Sequence, residues 1–136
     1  MTGSVVVDAN PLLSAMLGGK ARDVLFRTGM SFFASQHTLF EVEKYLPYVA
    51  KRLGCGESDL LRAFQLLPVI DVQPREYDAH LEQAAQLIAA RDPKDVHVLA
   101  LALRLVLPIW TEDKDFQGLP GITVLSTTDL LKQIKA

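Results

Sequence analysis

The sequence of 136 residues has one cysteine, no long hydrophobic run and no excess of positive charge. With Cys55 alone, an intramolecular disulfide and a cysteine-based metal cage are both excluded. The longest apolar stretch, Val96 to Trp110, is interrupted by Arg104 and falls short of the roughly 20 residues that cross a bilayer, so we expect no membrane span. The first ten residues show no basic start followed by a long apolar segment, which predicts a cytoplasmic protein.

The composition is that of one folded domain. Apolar residues make up 49% of the chain, enough for a sizeable core, and no Ser, Gly or Pro tract marks a linker, so we expect a single domain over residues 1–136. The net charge of −2 does not exclude a polyanionic partner such as RNA. If bound metal neutralised four carboxylates, the remaining charge would be about +2.

Short β-branched runs alternate with amphipathic segments along the whole chain. The predicted strands are Ser4–Val7, Met30–Ala34, Val69–Val72, Pro108–Thr111 and Ile122–Leu125. The predicted helices are Pro11–Leu17, Lys20–Thr28, Ser35–Leu53 with Gly54 as its stop, Ser58–Leu67, Tyr77–Ala90, Pro93–Leu107 and Thr127–Ile134. Pro47 should kink or split the third helix. This alternation predicts a three-layer α/β/α sandwich around a mostly parallel sheet of about five strands.

Two acids lie just after predicted strands, Asp8 directly after the first strand and Asp113 two residues past Thr111. Ligands of open parallel sheets bind beyond the carboxyl ends of the strands, so Asp8 and Asp113 should converge if their strands are neighbours, and Asp95 at a helix start could join them. Clustered carboxylates repel one another unless a cation holds them, and oxygen-only ligands favour Mg²⁺ or Mn²⁺. Two such ions about 4 Å apart can activate a water and stabilise the attacking and leaving oxygens of a phosphodiester displacement.

Four segments resemble, in order, the successive motifs of the PIN-domain family, which includes VapC-like toxin ribonucleases. They are VVVDANPLLSA, SQHTLFEVEKYL, RDPKDVHVLALAL and WTEDKDF, and they span most of the chain. The resemblance implies that four catalytic carboxylates bind Mg²⁺ or Mn²⁺ and that Asp115 is an accessory metal ligand. The four matching residues are Asp8, Glu41, Asp95 and Asp113.

Neighbours of these acids also match the family. Asn10 and Ser14 match residues that follow the first acid, and Thr111 matches the hydroxyl residue before the last one. Ala9 departs from the pattern of the PIN-domain family, in which many members have Thr or Ser at this position. It removes a hydroxyl near the metal but no carboxylate.

Several of these polar residues also have a structural interpretation. Asp92 is best explained as the N-cap of the helix that begins with Pro93, and Glu41 could be a solvated residue like Glu43. Glu112 fits a polar loop better than a metal site. Three histidines lack the mutual spacing of metal ligands, and we assign them no chemistry. They are His37, His80 and His97.

The resemblance implies an endoribonuclease that cleaves RNA, and many small stand-alone members are toxins of toxin–antitoxin pairs. An antitoxin protein and a second copy of the chain, forming a homodimer, are the expected partners. One alternative is a catalytically degenerate PIN fold that acts as an RNA-binding or dimerising module. A phosphatase of the haloacid dehalogenase type is less well supported, because it would need Asp at position 10, where this chain has Asn10.

Overall fold

A parallel sheet of five strands forms the centre of the molecule, which we describe from a computed structural model for residues 3–135. The strand order is β3-β2-β1-β4-β5, and every neighbouring pair is parallel. The strands are β1 Ser4–Val7, β2 Ser31–Ser35, β3 Val69–Val72, β4 Ile109–Trp110 and β5 Val124–Leu125. The predicted fold class is therefore confirmed.

Seven α-helices within residues 3–135 cover the two faces of the sheet. They are α1 Ala9–Met16, α2 Lys20–Arg27, α3 Gln36–Leu53, α4 Glu57–Gln65, α5 Leu81–Ile88, α6 Val96–Leu105 and α7 Thr127–Lys135. None of the helices in this part of the chain is long and apolar enough to span a membrane.

The side chains of β1 show how the sheet separates two cores. Val5 and Val7 pack with α1 to α4 and with Leu130 of α7, whereas Val6 faces the opposite core with α5 and α6. All three valines are fully buried, as expected for a central parallel strand covered on both faces. This arrangement gives the three layers that the alternating pattern predicted.

Helix α3 follows the predicted boundaries closely. The Ser35 side chain accepts a hydrogen bond from the Thr38 amide at 3.0 Å, and Gly54 ends the helix in the left-handed conformation with φ of 71°. Pro47 does not split the helix, which runs unbroken to Leu53. Because Pro47 and Glu43 are both exposed, water can satisfy the Glu43 carbonyl that loses its helical partner.

The predicted helix Tyr77–Ala90 begins too early. Residues 74–80 form two 3₁₀ turns, and α5 starts only at Leu81. Tyr77 is fully buried between these turns, with a φ of −132° that no helix adopts. The following helix also ends earlier than predicted, at Leu105, because Val106 adopts the left-handed conformation.

Candidate metal centre

The first predicted site residue, Asp8, lies at the carboxyl edge of the sheet between β1 and β4. Its backbone N–H donates to the Trp110 carbonyl at 3.1 Å, which continues the pairing of the two strands. Its Oδ1 accepts from the Ala9 amide at 2.8 Å, and its Oδ2 accepts from the Thr111 hydroxyl at 2.7 Å. Asp8 therefore caps α1 and is held by the residue that follows β4.

Thr111 also fixes the second predicted acid of this edge. The Asp113 amide donates to the Thr111 hydroxyl oxygen at 2.9 Å, so one buried hydroxyl connects both acids. Asn10 lies beside them, because its Oδ1 accepts from the Glu112 amide at 3.3 Å. Ser14, in contrast, is exposed on α1 and forms no side-chain hydrogen bond among residues 3–133.

Asp95 is the most perturbed of the predicted site residues. It ends a 3₁₀ turn at Pro93–Asp95, precedes α6, and is only 6% exposed. Burial, followed by the charges of Asp8 and Asp113, raises the pKa of its carboxyl from 3.8 to about 8. Its Oδ2 is buried and has no hydrogen-bond partner among the described residues.

Four aspartates form the tightest acidic group in the described part of the chain. Each offers one oxygen atom, and these atoms all lie within 4.8 Å of one another. The members are Asp92, Asp95, Asp113 and Asp115. The group therefore joins two of the predicted carboxylates to the accessory acid and to the residue that the sequence assigned to capping.

Asp92 does cap its turn, because its Oδ1 accepts from the Lys94 amide at 2.9 Å. The capping prediction is therefore confirmed, although the carboxylate also belongs to the acidic group. Glu112 has a purely structural contact with the start of α7, since its Oε1 accepts from the Thr127 amide at 2.7 Å.

Asp8 and Glu41 lie outside the group of four aspartates but are electrostatically coupled to it. Burial is the main cause of the raised pKa of Asp8, and the charges of Asp113 and Glu41 raise it further, against the lowering effect of its two hydrogen bonds. Glu41 lies on α3 and is partly exposed, so it faces the site from the helix side. The assignment of the predicted carboxylates as metal ligands stays a prediction.

Sequence reasoning missed a histidine that contacts Glu41. His37 Nδ1 lies 3.3 Å from Glu41 Oε1, one helical turn away on α3. The His37 ring stacks on His97, with centroids 4.3 Å apart and an interplanar angle of 7°. His97 Nδ1 lies 2.7 Å from the Tyr77 hydroxyl, so a chain of side-chain contacts extends from Glu41 into the core.

Arg91 is a second residue that sequence reasoning did not select. Its Nη1 donates to the carbonyls of Asp115 at 2.7 Å and Gln117 at 2.9 Å. These bonds attach the loop after β4 to the segment before Asp92. The loop that carries Asp113 and Asp115 is thereby held by a cation that contacts its backbone carbonyls.

The residues present fit a divalent cation of the hard, oxygen-preferring kind. All donors of the group are carboxylate oxygens, which suit Mg²⁺ or Mn²⁺. The buried Oδ2 of Asp95 has no hydrogen-bond partner in the described residues, and the neighbouring charges disfavour its ionised form, so a cation would relieve both deficits.

Solved structures similar to this chain include a toxin–antitoxin complex and VapBC proteins. A toxin–antitoxin complex from Klebsiella pneumoniae is 22% identical with a TM-score of 0.67, covering 90% of this chain and 97% of that chain. VapBC-1 from nontypeable Haemophilus influenzae is 19% identical with a TM-score of 0.67, covering 94% and 99%. VapBC2 from Rickettsia felis, bound to a DNA fragment from its promoter, is 11% identical with a TM-score of 0.68, covering 93% and 98%.

At these identities the structural likeness shows the fold alone. A comparison with curated protein sequences gives no significant match. The sequence profile of the PIN domain, however, matches residues 6–135, which is nearly the whole chain and includes every predicted site residue. The chain therefore belongs to the PIN domain family.

Proposed function

We propose that this protein is a metal-dependent endoribonuclease that hydrolyses RNA phosphodiester bonds. The observation that carries the proposal is a group of four aspartates with oxygens that all lie within 4.8 Å of one another. It includes Asp95, whose buried Oδ2 has no hydrogen-bond partner among the described residues. In the proposal Asp8, Glu41, Asp95 and Asp113 are the catalytic carboxylates and hold Mg²⁺ or Mn²⁺, with Asp115 as a further ligand. A site of this kind is unfavourable without a cation and suited to one.

Bound divalent ions would supply an activated water and would stabilise charge on the attacking and leaving oxygens of the phosphodiester. The chain's own residues hold the ligands in place for that chemistry. The Thr111 hydroxyl orients Asp8 and the Asp113 amide, and Arg91 fixes the loop that carries Asp113 and Asp115. The side chains are thus restrained before substrate arrives, which reduces reorganisation during the reaction.

The direct test is cleavage of single-stranded and structured RNA by the purified protein with Mn²⁺. We expect cleavage to be abolished by chelator and by Asp8→Asn or Asp113→Asn, which keep side-chain size while removing a ligand charge. A matched control is Asp23→Asn, an exposed acid on α2 outside the site. Asp92→Asn keeps an N-cap residue, so its cleavage rate reports whether Asp92 acts beyond capping.

Each result has a defined meaning. Chelator-resistant cleavage that survives Asp8→Asn would indicate a contaminating nuclease. A preparation that binds Mn²⁺ but cleaves no RNA would favour the alternative of a degenerate PIN fold serving as an RNA-binding or dimerising module. The haloacid dehalogenase alternative is not retained, because the chain belongs to the PIN domain family and has Asn10 where that chemistry needs a second acid.

We also propose that the protein is the toxin of a toxin–antitoxin pair, acts on RNA in the cytoplasm and forms a homodimer. Support comes from similar structures, which include a toxin–antitoxin complex and VapBC proteins. Expression of wild-type protein should arrest growth, whereas Asp8→Asn should not. Light scattering of the purified protein should give twice the 15.0 kDa chain mass. A monomeric mass would contradict the proposed homodimer. Growth arrest that persists in Asp8→Asn would contradict the proposal that this protein is a toxin acting through its nuclease site.

A further inference from the structure

A small cavity lies between α3 and the turn that carries Asp92 and Asp95. Its volume is about 150 Å³, enough for a phosphate group or a few waters but too small for a nucleotide. It is lined by His37, Glu41, Lys44, Tyr45 and Lys94. The cavity therefore combines one proposed metal ligand with two cations and an aromatic ring.

The two lysines of the cavity have no carboxylate within 4.0 Å among the residues whose side chains are described. Among the residues whose side chains the structure describes, the contact between His37 and Glu41 is the single acid–base pair within 4.0 Å. Lys44 and Lys94 are both exposed, so their ammonium groups are available to an anion that enters from solvent. An RNA phosphate bound by these two cations would release counterions.

Two residues that line the cavity, Lys94 and Glu41, connect it to the acidic site. Lys94 lies within the turn between Asp92 and Asp95, and its backbone is fixed by the 2.9 Å bond to Asp92 Oδ1. Glu41 is shared, because it lines the cavity and also acts on the charge state of Asp8. An RNA strand whose scissile phosphate is at the acids would therefore bring a neighbouring phosphate to the lysines.

Tyr45 supplies the remaining element of a nucleotide contact. Its side chain is 50% exposed on α3 and lies at the rim of the same cavity. Exposed aromatic rings are platforms on which single-stranded bases stack, independently of base identity. A cation pair for phosphate beside such a ring is the combination that single-strand binding requires.

We propose that this cavity binds the RNA phosphate adjacent to the scissile bond through Lys44 and Lys94, and that the adjoining base stacks on Tyr45. The inference rests on the proposed ribonuclease function and adds a substrate-binding subsite to it. The subsite would hold the strand in register with the acids through contacts that carry little sequence information.

The test measures binding of a short fluorescent single-stranded RNA to Asp8→Asn protein with Mn²⁺, so that the strand stays intact. Lys44→Gln and Lys94→Gln should each lower the slope of log affinity against log salt by about 0.7. Lys51→Gln is the control, since Lys51 is an exposed lysine of α3 outside the cavity. Wild-type protein in chelator provides a second measurement that does not depend on the Asp8 substitution.

The aromatic contact is tested in the same assay. Tyr45→Ala should weaken RNA binding about five-fold or more, whereas Tyr45→Phe should keep it. Tyr48→Ala is the control, because Tyr48 is 62% exposed on the same helix and does not line the cavity. An effect of Tyr48→Ala equal to that of Tyr45→Ala would refute the stacking assignment.

The outcome separates this inference from the proposed function. If the wild-type protein cleaves RNA with Mn²⁺ but the lysine substitutions change neither RNA affinity nor its salt slope, the subsite proposal is wrong and the proposed nuclease function is unaffected. If the wild-type protein neither cleaves nor binds RNA, both the proposed function and this inference are refuted.

Discussion

Replacing Asp95 with Asn should stabilise the metal-free protein at pH 8, although it alters a residue of the proposed site. In the folded chain the pKa of Asp95 is raised from 3.8 to about 8. Between these values the unfolded state loses the proton that the folded state keeps, so stability falls as the pH rises from about 4 to about 8. Asn carries no charge at any pH and removes this loss.

The size of the stabilisation by Asp95→Asn follows from the difference between the pKa values of Asp95 in the folded and unfolded chain. A change from 3.8 to about 8 corresponds, at about 1.4 kcal/mol for each pKa unit, to an upper bound near 6 kcal/mol above pH 8. The neighbouring Asp92, Asp113 and Asp115 are partly exposed, so solvent screens their repulsion, and we expect a gain of about 2–4 kcal/mol. At pH 4 the gain should be close to zero. Asp95 forms no capping hydrogen bond through its side chain, so none is lost.

The assay is urea unfolding in chelator at several pH values between 4 and 8.5. Asp129→Asn is a control of opposite sign, because hydrogen bonds from Ser126 lower the pKa of the exposed Asp129. Its carboxylate contributes stability above the unfolded pKa that is lost as the pH falls, so Asp129→Asn should destabilise the protein at neutral pH.

With Mn²⁺ added, the wild-type protein should become more stable than Asp95→Asn. The wild-type chain gains stability by mass action when the cation binds, whereas Asp95→Asn lacks one ligand charge and should gain less. If Asp95→Asn destabilises the metal-free protein at pH 8, or if its effect does not change with pH, the described electrostatics are wrong.

The other predictions concern residues that support the site. Thr111→Val removes the 2.7 Å hydrogen bond to Asp8 and should lower both Mn²⁺ affinity and the free energy of unfolding, the latter by about 1–3 kcal/mol, with Thr111→Ser as the conservative control in calorimetry. The His97 ring should titrate below 6.5 by NMR, because burial and then the stacked His37 lower its pKa, and a midpoint above that value would contradict the stacking. Arg91→Ala should speed hydrogen exchange in the loop after β4, and unchanged exchange would show that its two carbonyl contacts do not restrain that loop.

The sheet and most helices were predictable because their signals are local. Val5, Val6 and Val7 form an unbroken β-branched run, and such runs are typical of strands buried on both faces. The start of α5 was not predictable, since Tyr77 continues the apolar pattern while its contacts are with a distant part of the chain. Its hydroxyl binds His97, and that tertiary contact fixes it in a turn instead of a helix.

The difference between local signals and tertiary contacts also determines how much of the site could be predicted. Asp8 and Asp113 were expected to converge if their strands were neighbours, because both acids lie just after strands. In the structure β1 pairs with β4, the Thr111 hydroxyl donates to Asp8, and the Asp113 amide donates to Thr111. The contact of His37 with His97 joins residues 60 positions apart, and no spacing rule connects them. Glu41 was selected through the family resemblance, because its position on α3 is equally typical of a solvated residue.

Asp92 shows that capping a turn and binding a metal are not exclusive roles for one carboxylate. A carboxylate has two oxygens, and the capping bond from the Lys94 amide uses only Oδ1. Asp113 repeats the arrangement, since its Oδ1 accepts from the Asp115 amide. Asp8 likewise caps α1 through Oδ1. A cap fixes the side-chain torsion, and the bonded N–H partly compensates the charge, so capping makes a cluster of carboxylates less unfavourable before a cation binds. Asp8, Asp92 and Asp113 are therefore restrained in this way before any cation binds.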